Sequence, residues 1–128
     1  DSAFLHDVGA LNIAAAARVP LRVVVVNNNG GRIFEKLPIA RREEFRELLD
    51  PWFVMPHGLD ISNVAASFNV HATRVETAHD LLKALTDPAP DDKPFVVEAL
   101  IDPAVSKKHY GLLENASKLA ADQLRDKD

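Results

Sequence analysis

Residues Leu21 to Gly31 read LRVVVVNNNGG, an apolar run that stops at three asparagines and two glycines. The part from Leu21 to Val26 is β-branched and lacks polar alternation, which is typical of a parallel strand covered on both faces. An Asn-Gly pair after apolar residues also favours a β-hairpin. The hairpin is the weaker alternative, because the following stretch, RIFEKLP at 32–38, makes a poor return strand.

Helical and extended patterns alternate on either side of this strand. Helices are predicted at Phe4 to Ala17, Arg41 to Leu49, Ile61 to Phe68, Ala78 to Leu85 and about Lys107 to Arg125, and further strands at Val70 to Val75 and Phe95 to Ile101. Asp60 and Thr77 are predicted N-caps, and Pro88 to Lys93 is a predicted polar turn. Because strands separated by helices pair in parallel, the predicted fold class is α/β, with a parallel sheet sandwiched between helices.

Composition narrows the class of protein. The 128 residues suit one domain, and 47% hydrophobic with 27% charged residues is ordinary for a globular fold. The formal charge of -4 disfavours nucleic-acid binding, which needs a basic face. The lack of cysteine excludes thiol nucleophiles and zinc thiolates and favours a cytoplasmic location. No apolar run approaches the ~20 residues of a membrane span.

The beginning of the chain suggests a longer protein. Asp1 stands directly before a helical pattern, with no methionine and no leader. We therefore expect residues 1–128 to be a single carboxyl-terminal domain whose fold is truncated on its N-terminal side. Further N-terminal domains of the same protein would be its partners.

Polar side chains are expected at the carboxyl ends of strands, where parallel α/β sheets bind ligands. The asparagines follow Val26, and Asp1 would follow a strand if one precedes it; the alternative is a solvated terminal residue. The 27 positions from Asp1 to Asn28 fit a loop, a helix and a strand, since a βαβ unit takes roughly 30 residues. A carboxylate, a carboxamide and a backbone carbonyl suit Mg²⁺ together with phosphates. Gly30 and Gly31 would let the backbone approach those phosphates.

The spacing from Asp1 to the pair Asn27-Asn28 resembles the motif of thiamine-diphosphate-dependent enzymes, which is Gly-Asp-Gly, a spacer and Asn-Asn. Ser2 stands where that motif has its second glycine. More narrowly, NNNGGRIFEKLP at 27–38 and PHGLD at 56–60 are similar to the 2-succinyl-5-enolpyruvyl-6-hydroxy-3-cyclohexene-1-carboxylate synthase family of menaquinone synthesis. The resemblance covers essentially the whole chain and implies the diphosphate-binding domain of such an enzyme.

The resemblance implies thiamine diphosphate and Mg²⁺, or Mn²⁺ in its place, as cofactors. The metal would bind the side chains of Asp1 and Asn28 and the main-chain carbonyl of Gly30. The residues that would shape the diphosphate loop are Asn27, Asn29 and Gly31.

An apolar wall beside the cofactor and the second substrate is also implied. It would consist of Ile33, Phe34 and Leu37. Judged from the residues alone, these three side chains would ordinarily belong to the core.

The resemblance further implies a reaction and an assembly. The intact enzyme would decarboxylate 2-oxoglutarate and add the resulting carbanion equivalent to isochorismate. It would be a homodimer or homotetramer whose other domains supply an activating glutamate and substrate-binding arginines. No catalytic residue is predicted on this chain, which is expected to be inactive alone. The alternatives are another thiamine-diphosphate enzyme, such as a 2-oxo-acid decarboxylase or acetolactate synthase, and a non-catalytic α/β binding module.

Two kinds of titratable residue receive no catalytic role. The five histidines show no paired metal-ligand spacing, and His57 lies in the PHGLD segment without an assigned function. Glu98 interrupts an apolar strand and is expected to be paired or at a strand end.

Overall fold

The structure, a computed structural model, describes residues 1–88 and 93–125. Its helices are α1 (Ser2–His6), α2 (Ala10–Ala17), α3 (Arg46–Leu49), α4 (Ile61–Ala66), α5 (Ala78–Thr86) and α6 (Pro103–Arg125), and its strands are β1 (Arg22–Asn27), β2 (His71–Val75) and β3 (Phe95–Leu100). Between β1 and α4 lie 3₁₀ turns at Arg32–Lys36, Pro38–Arg41 and Glu43–Phe45 and a π-helical turn at Asp50–Val54. Residues 89–92 of the predicted polar turn lie outside the described residues.

The three strands form one parallel sheet in the order β1-β3-β2. β1 pairs with β3 from Arg22 opposite Phe95 to Asn27 opposite Leu100, and β2 pairs with the other side of β3. The carboxyl ends of β1 and β3 therefore meet at one rim. The parallel α/β prediction is confirmed. The hairpin alternative is wrong, because β1 is hydrogen-bonded to a parallel strand distant in sequence.

Helices cover both faces of the sheet. On one face, α2 and α4 pack against β1 and β3 around the buried residues Leu11, Val25, Ile61, Ala65, Val70 and Val96. On the other face, Leu81 and Ala84 of α5 pack against the buried residues Val75, Val97 and Ala99. Val24 and Val26 point to this second face and remain 40% and 54% exposed. The sandwich is thus complete over β2 and β3 and open over β1.

Most predicted elements agree with the structure within one or two residues. Asp60 caps α4, because its carboxylate accepts from the amide of Asn63 at 2.8 Å. Thr77 caps α5 in the same way, accepting from the amide of Asp80 at 3.1 Å. No helix among residues 1–88 and 93–125 is long and apolar enough to cross a membrane.

Three predicted helices differ from the structure. The carboxyl-terminal helix begins at Pro103, before the predicted start at about Lys107. The stretch from Phe4 to Ala17 divides into α1 and α2 at residues 7–9, where Gly9 weakens a continuous helix by about 1 kcal/mol relative to alanine. The stretch from Arg41 to Leu49 is α-helical only at Arg46–Leu49. It lies between two prolines, its α-helical turn has no side-chain cap, and helices this short are marginal without packing partners.

A buried carboxylate joins the central strand β3 to both neighbouring strands and to the start of α4. Glu98 in β3 is 0% exposed and accepts from Nδ2 of Asn27 at 2.7 Å and from Nε of Arg74 at 3.2 Å. It also accepts from the amide and the hydroxyl of Ser62, at 3.1 and 3.0 Å. Burial raises the pKa of Glu98, but these hydrogen bonds outweigh burial and lower it from 4.5 to about 2. The expectation that Glu98 is paired is confirmed.

This network predicts a loss of stability in acid. The pKa of Glu98 is lower in the folded state, so its stabilisation is present above about pH 4.5 and is lost as the pH falls towards 2. The shift corresponds to on the order of 3 kcal/mol of unfolding free energy. Urea unfolding at about pH 7 and about pH 3 should show a steeper loss for the native sequence than for Glu98→Gln. An equal pH dependence in both would assign the acid lability to other groups.

Candidate functional site

The carboxyl end of β1 carries a tightly turned polar segment, residues 27–31, which we call the Asn-Gly loop. Asn29 has a φ of 62° and Gly30 a φ of 121°, left-handed values that favour asparagine and glycine. Oδ1 of Asn27 accepts from the amide of Asn29 at 3.0 Å. Oδ1 of Asn29 accepts in turn from the amide of Gly58 at 2.8 Å. Side-chain amides therefore fix the loop to the end of β1 and to the segment before α4.

The two glycines lie against the π-helical turn Asp50–Val54. The amide of Gly31 donates to the carbonyl of Val54 at 2.6 Å. A Cβ on Gly30 would overlap that same carbonyl oxygen, and one on Gly31 would lie 3.1 Å from the carbonyl oxygen of Phe53. Close backbone approach thus requires glycine at Gly30 and leaves little room for a side chain at Gly31. The partner that the structure shows is the protein's own turn. An approach to phosphates stays a prediction.

The carboxylate of Asp1 lies against the Asn-Gly loop. Its side chain is 3% exposed, so the alternative of a solvated terminal residue is wrong. Oδ2 accepts from the amides of Asn28 and Gly30 at 3.1 and 2.9 Å, and Oδ1 accepts from the amide of Ser2 at 2.6 Å. The structure therefore brings together the three residues that the sequence predicts as metal ligands.

The oxygen donors at this position fit a hard divalent cation. Among the described residues, no hydrogen bond involves the side-chain carboxamide of Asn28, whose backbone contacts Asp1 and Arg32 instead. The carbonyl of Gly30 accepts one hydrogen bond, from the amide of Arg32 at 2.9 Å, which leaves a second lone pair. The same residues contain no group of three or more His, Cys, Asp or Glu side chains arranged for a metal. Carboxylate, carboxamide and carbonyl oxygens suit Mg²⁺ with phosphate ligands rather than zinc.

His57 belongs to this site, which the sequence did not predict. Its Nε2 lies 3.2 Å from Oδ2 of Asp1, and its Nδ1 accepts from the amide of Leu59 at 2.9 Å. Burial lowers the pKa of His57 against an opposing effect of Glu98. Because Nδ1 accepts a hydrogen bond, the proton of the neutral ring lies on Nε2. Nε2 makes no hydrogen bond with any described residue. It is therefore a buried donor that faces the Asp1 carboxylate.

The apolar residues after the loop lie at the surface. Ile33, Phe34 and Leu37 are 68%, 36% and 43% exposed, and Phe34 packs edge-on against Phe53 with ring centroids 5.7 Å apart. The alternative that these three residues form part of the core is wrong. Their position beside the Asn-Gly loop suits the predicted apolar wall, whose function stays a prediction.

Two clefts adjoin the Asn-Gly loop. One, of about 470 Å³, lies at the carboxyl ends of the strands and is lined by residues of the loop together with Gly58, Arg74, Glu76 and Asp102. The other, of about 500 Å³, lies between the Arg32–Lys36 turn and α6. Asn28 lines both clefts. The carboxyl rim of a parallel sheet is where α/β proteins bind ligands.

The sequence matches a known domain family. The family described as "Thiamine pyrophosphate enzyme, C-terminal TPP binding domain" matches residues 1–99. The chain therefore belongs to this family, and its parallel sheet with flanking helices agrees with that membership.

Curated relatives narrow the comparison within the family. Proteins named 2-succinyl-5-enolpyruvyl-6-hydroxy-3-cyclohexene-1-carboxylate synthase are 32% identical over 114 residues in Pelodictyon phaeoclathratiforme, 43% over 107 in Sorangium cellulosum and 46% over 87 in Myxococcus xanthus. These alignments cover 89%, 80% and 68% of the chain. They cover 19%, 17% and 15% of the relatives, so the chain spans less than a fifth of their length.

The tight packing of Gly30 can be tested by adding one methyl group. Gly30→Ala is expected to destabilise the chain by about 1–3 kcal/mol, because a side chain there is strained and meets the carbonyl of Val54. Gly9→Ala is the matched control, since a Cβ at Gly9 meets nothing within 4 Å and its φ of -58° is helical. Urea unfolding measures both. Similar losses in the two variants would show that the Asn-Gly loop tolerates side chains.

Proposed function

We propose that residues 1–128 form the diphosphate- and metal-binding domain of a larger thiamine-diphosphate-dependent transferase of menaquinone synthesis. The intact enzyme decarboxylates 2-oxoglutarate and adds the product carbanion equivalent to isochorismate. The observation that carries the proposal is the Asp1 carboxylate, held by the amides of Asn28 and Gly30 at the carboxyl end of β1. The names of the curated relatives support this particular reaction.

Each residue of the site has a proposed role in holding the cofactor. Asp1, Asn28 and the Gly30 carbonyl bind Mg²⁺. The residues that set the course of the diphosphate loop are Asn27, Asn29 and Gly31. Ile33, Phe34 and Leu37 form an apolar wall that excludes water from the reacting end. Thiamine diphosphate, when bound, supplies the decarboxylation and carbon–carbon bond formation, while the protein orients it.

The charges of the site support a diphosphate ligand. One carboxylate and one neutral carboxamide leave a divalent cation with net positive charge, which attracts phosphate oxygens. A second carboxylate would reduce that attraction and repel the ligand. Mg²⁺ usually binds proteins through one or two carboxylates and completes its octahedron with phosphates and water. Because the metal supplies the positive charge, the loop itself needs no lysine.

Exposed apolar surface supports the presence of further domains. Val24 and Val26 of the edge strand β1 are 40% and 54% exposed, and Leu112, Leu113 and Leu119 of α6 are 58%, 67% and 65% exposed. Extended apolar surface of this kind is typical of protein interfaces. We propose that N-terminal domains of the same enzyme cover it, in a cytoplasmic homodimer or homotetramer. Those domains supply the activating glutamate and the arginines for the substrate carboxylates.

The ligand role of Asn28 can be tested in the full-length enzyme. Asn28→Ala is expected to weaken Mg²⁺-dependent binding of thiamine diphosphate at least about tenfold, or ~1.4 kcal/mol, because one metal ligand is lost. Calorimetric titration measures the affinity. Asn12→Ala, the same change on an exposed position of α2, should bind as the native enzyme does. Affinity within about twofold for Asn28→Ala, with the fold intact, would exclude Asn28 as a ligand.

The isolated chain should be inactive. Residues 1–128 with thiamine diphosphate and Mg²⁺ are expected to release no CO₂ from 2-oxoglutarate, because the activating glutamate lies on another domain. A coupled CO₂ assay, with the full-length enzyme as positive control, measures this. Clear turnover by the isolated chain would contradict the proposed division of the active site.

A further inference from the structure

We propose that Glu98 is a positioning residue for the cofactor: by orienting the side chain of Asn27, it holds the Asn-Gly loop in its metal-binding conformation. This inference rests on the proposed function of the loop. Glu98 is 0% exposed, so it does not reach the clefts and acts through Asn27.

The first step is the orientation of the Asn27 carboxamide. Asn27 is 6% exposed, and its Nδ2 donates to Oε1 of Glu98 at 2.7 Å. An ionised carboxylate only accepts hydrogen bonds. Asn27 must therefore turn its amino group towards Glu98 and its oxygen towards the loop.

The second step transmits this orientation to the loop backbone. Oδ1 of Asn27 accepts from the amide of Asn29 at 3.0 Å. Asn28 lies between these two residues, and its own amide donates to Asp1 at 3.1 Å. If Asn27 were flipped, its amino group would face the Asn29 amide, and two donors would meet. The direction of the Asn28 backbone, and with it the metal site, thus depends on the charge of Glu98.

Glu98 is itself held rigidly. The amides of Ile61 and Ser62 donate to it at 3.3 and 3.1 Å. Arg74 donates to it and also lies 3.0 Å from Oδ2 of Asp60. A carboxylate with this many fixed donors keeps one orientation, so it can impose one on Asn27.

Core stability alone does not explain why a glutamate occupies this buried position of β3. Its neighbours Val96, Val97 and Ala99 are buried and apolar, and apolar residues stabilise such positions as well as buried ion pairs or better. The low pKa of Glu98 keeps it charged throughout the neutral range. A permanently charged acceptor is what the orientation of Asn27 requires.

A double-mutant cycle in the full-length enzyme tests the inference. Mg²⁺ affinity in the presence of thiamine diphosphate is measured for the native enzyme, Glu98→Gln, Asn27→Ala and the double variant. A glutamine can donate as well as accept, so it releases Asn27. Each single variant should weaken Mg²⁺ binding at least about tenfold, and the double variant should be no weaker than the worse single variant, because both break one link. The KM for Mg²⁺ should rise, while kcat at saturating Mg²⁺ changes less than about threefold.

Val97→Ala is the control for general destabilisation. Val97 is adjacent in β3, 0% exposed and on the opposite face of the sheet. This variant should lower the Tm while Mg²⁺ affinity stays within about twofold of native at temperatures where the protein is folded.

Four results would overturn the inference. Mg²⁺ affinity of folded Glu98→Gln within about twofold of native would refute it while leaving the proposed function intact, provided that the native enzyme binds. Full additivity in the cycle would show that Glu98 and Asn27 act separately. If Glu98→Gln does not fold, the Asn27→Ala variant tests the inference instead. Native Mg²⁺ affinity in Asn27→Ala would then refute it. Failure of the native enzyme to bind Mg²⁺ and thiamine diphosphate would instead refute the proposed function and the inference together.

Discussion

One carboxylate oxygen determines the geometry of the site. Oδ2 of Asp1 accepts the amides of Asn28 and Gly30, and two amides two residues apart can converge on one atom only if the backbone turns sharply. That turn places Asn29 and Gly30 at positive φ, where asparagine and glycine are the residues with least strain. The Asn-Gly composition of the loop is therefore required by two constraints, the contact with Asp1 and the close approach of Gly30 to Val54.

The buried carboxylates of Glu98 and Asp1 have different environments, and they therefore suit different roles. Glu98 lies in the central strand, where side-chain and backbone donors from three segments occupy its oxygens. Its charge is satisfied entirely within the protein. Asp1 lies at the rim beside loop oxygens, where its carboxylate accepts from the backbone amides of Asn28 and Gly30. The Glu98 carboxylate therefore stabilises the framework of the sheet, and the Asp1 carboxylate is the one proposed to bind a metal.

The sequence predicted those features that depend on local pattern and on chain topology. β1 and its loop followed from an apolar run ended by asparagine and glycine, and the closeness of Asp1 to Asn28 followed from the length of a βαβ unit. The contact of His57 with Asp1 was missed because no periodicity links residues so far apart. The helix predicted at Arg41 to Leu49 is α-helical only at Arg46–Leu49, because an amphipathic pattern alone does not stabilise so short a helix. The exposure of Ile33 likewise depends on which neighbours are present, which composition does not show.

The placement of the polar groups explains why such a domain would hold a cofactor without performing chemistry alone. Its oxygen donors converge on the rim, where the proposed metal and diphosphate would bind, and Glu98 is fully enclosed. The Nδ1 of His57 already accepts from a backbone amide, so the remaining donor of the neutral ring is Nε2, which faces Asp1. On the proposed assignment, the reacting end of the cofactor lies beside Ile33 and Leu37. The side chains of these two residues are exposed, and another domain of the enzyme would cover them. Catalysis then requires that other domain. This chain orients the diphosphate end of the cofactor, and it supplies no acid or base at the reacting end.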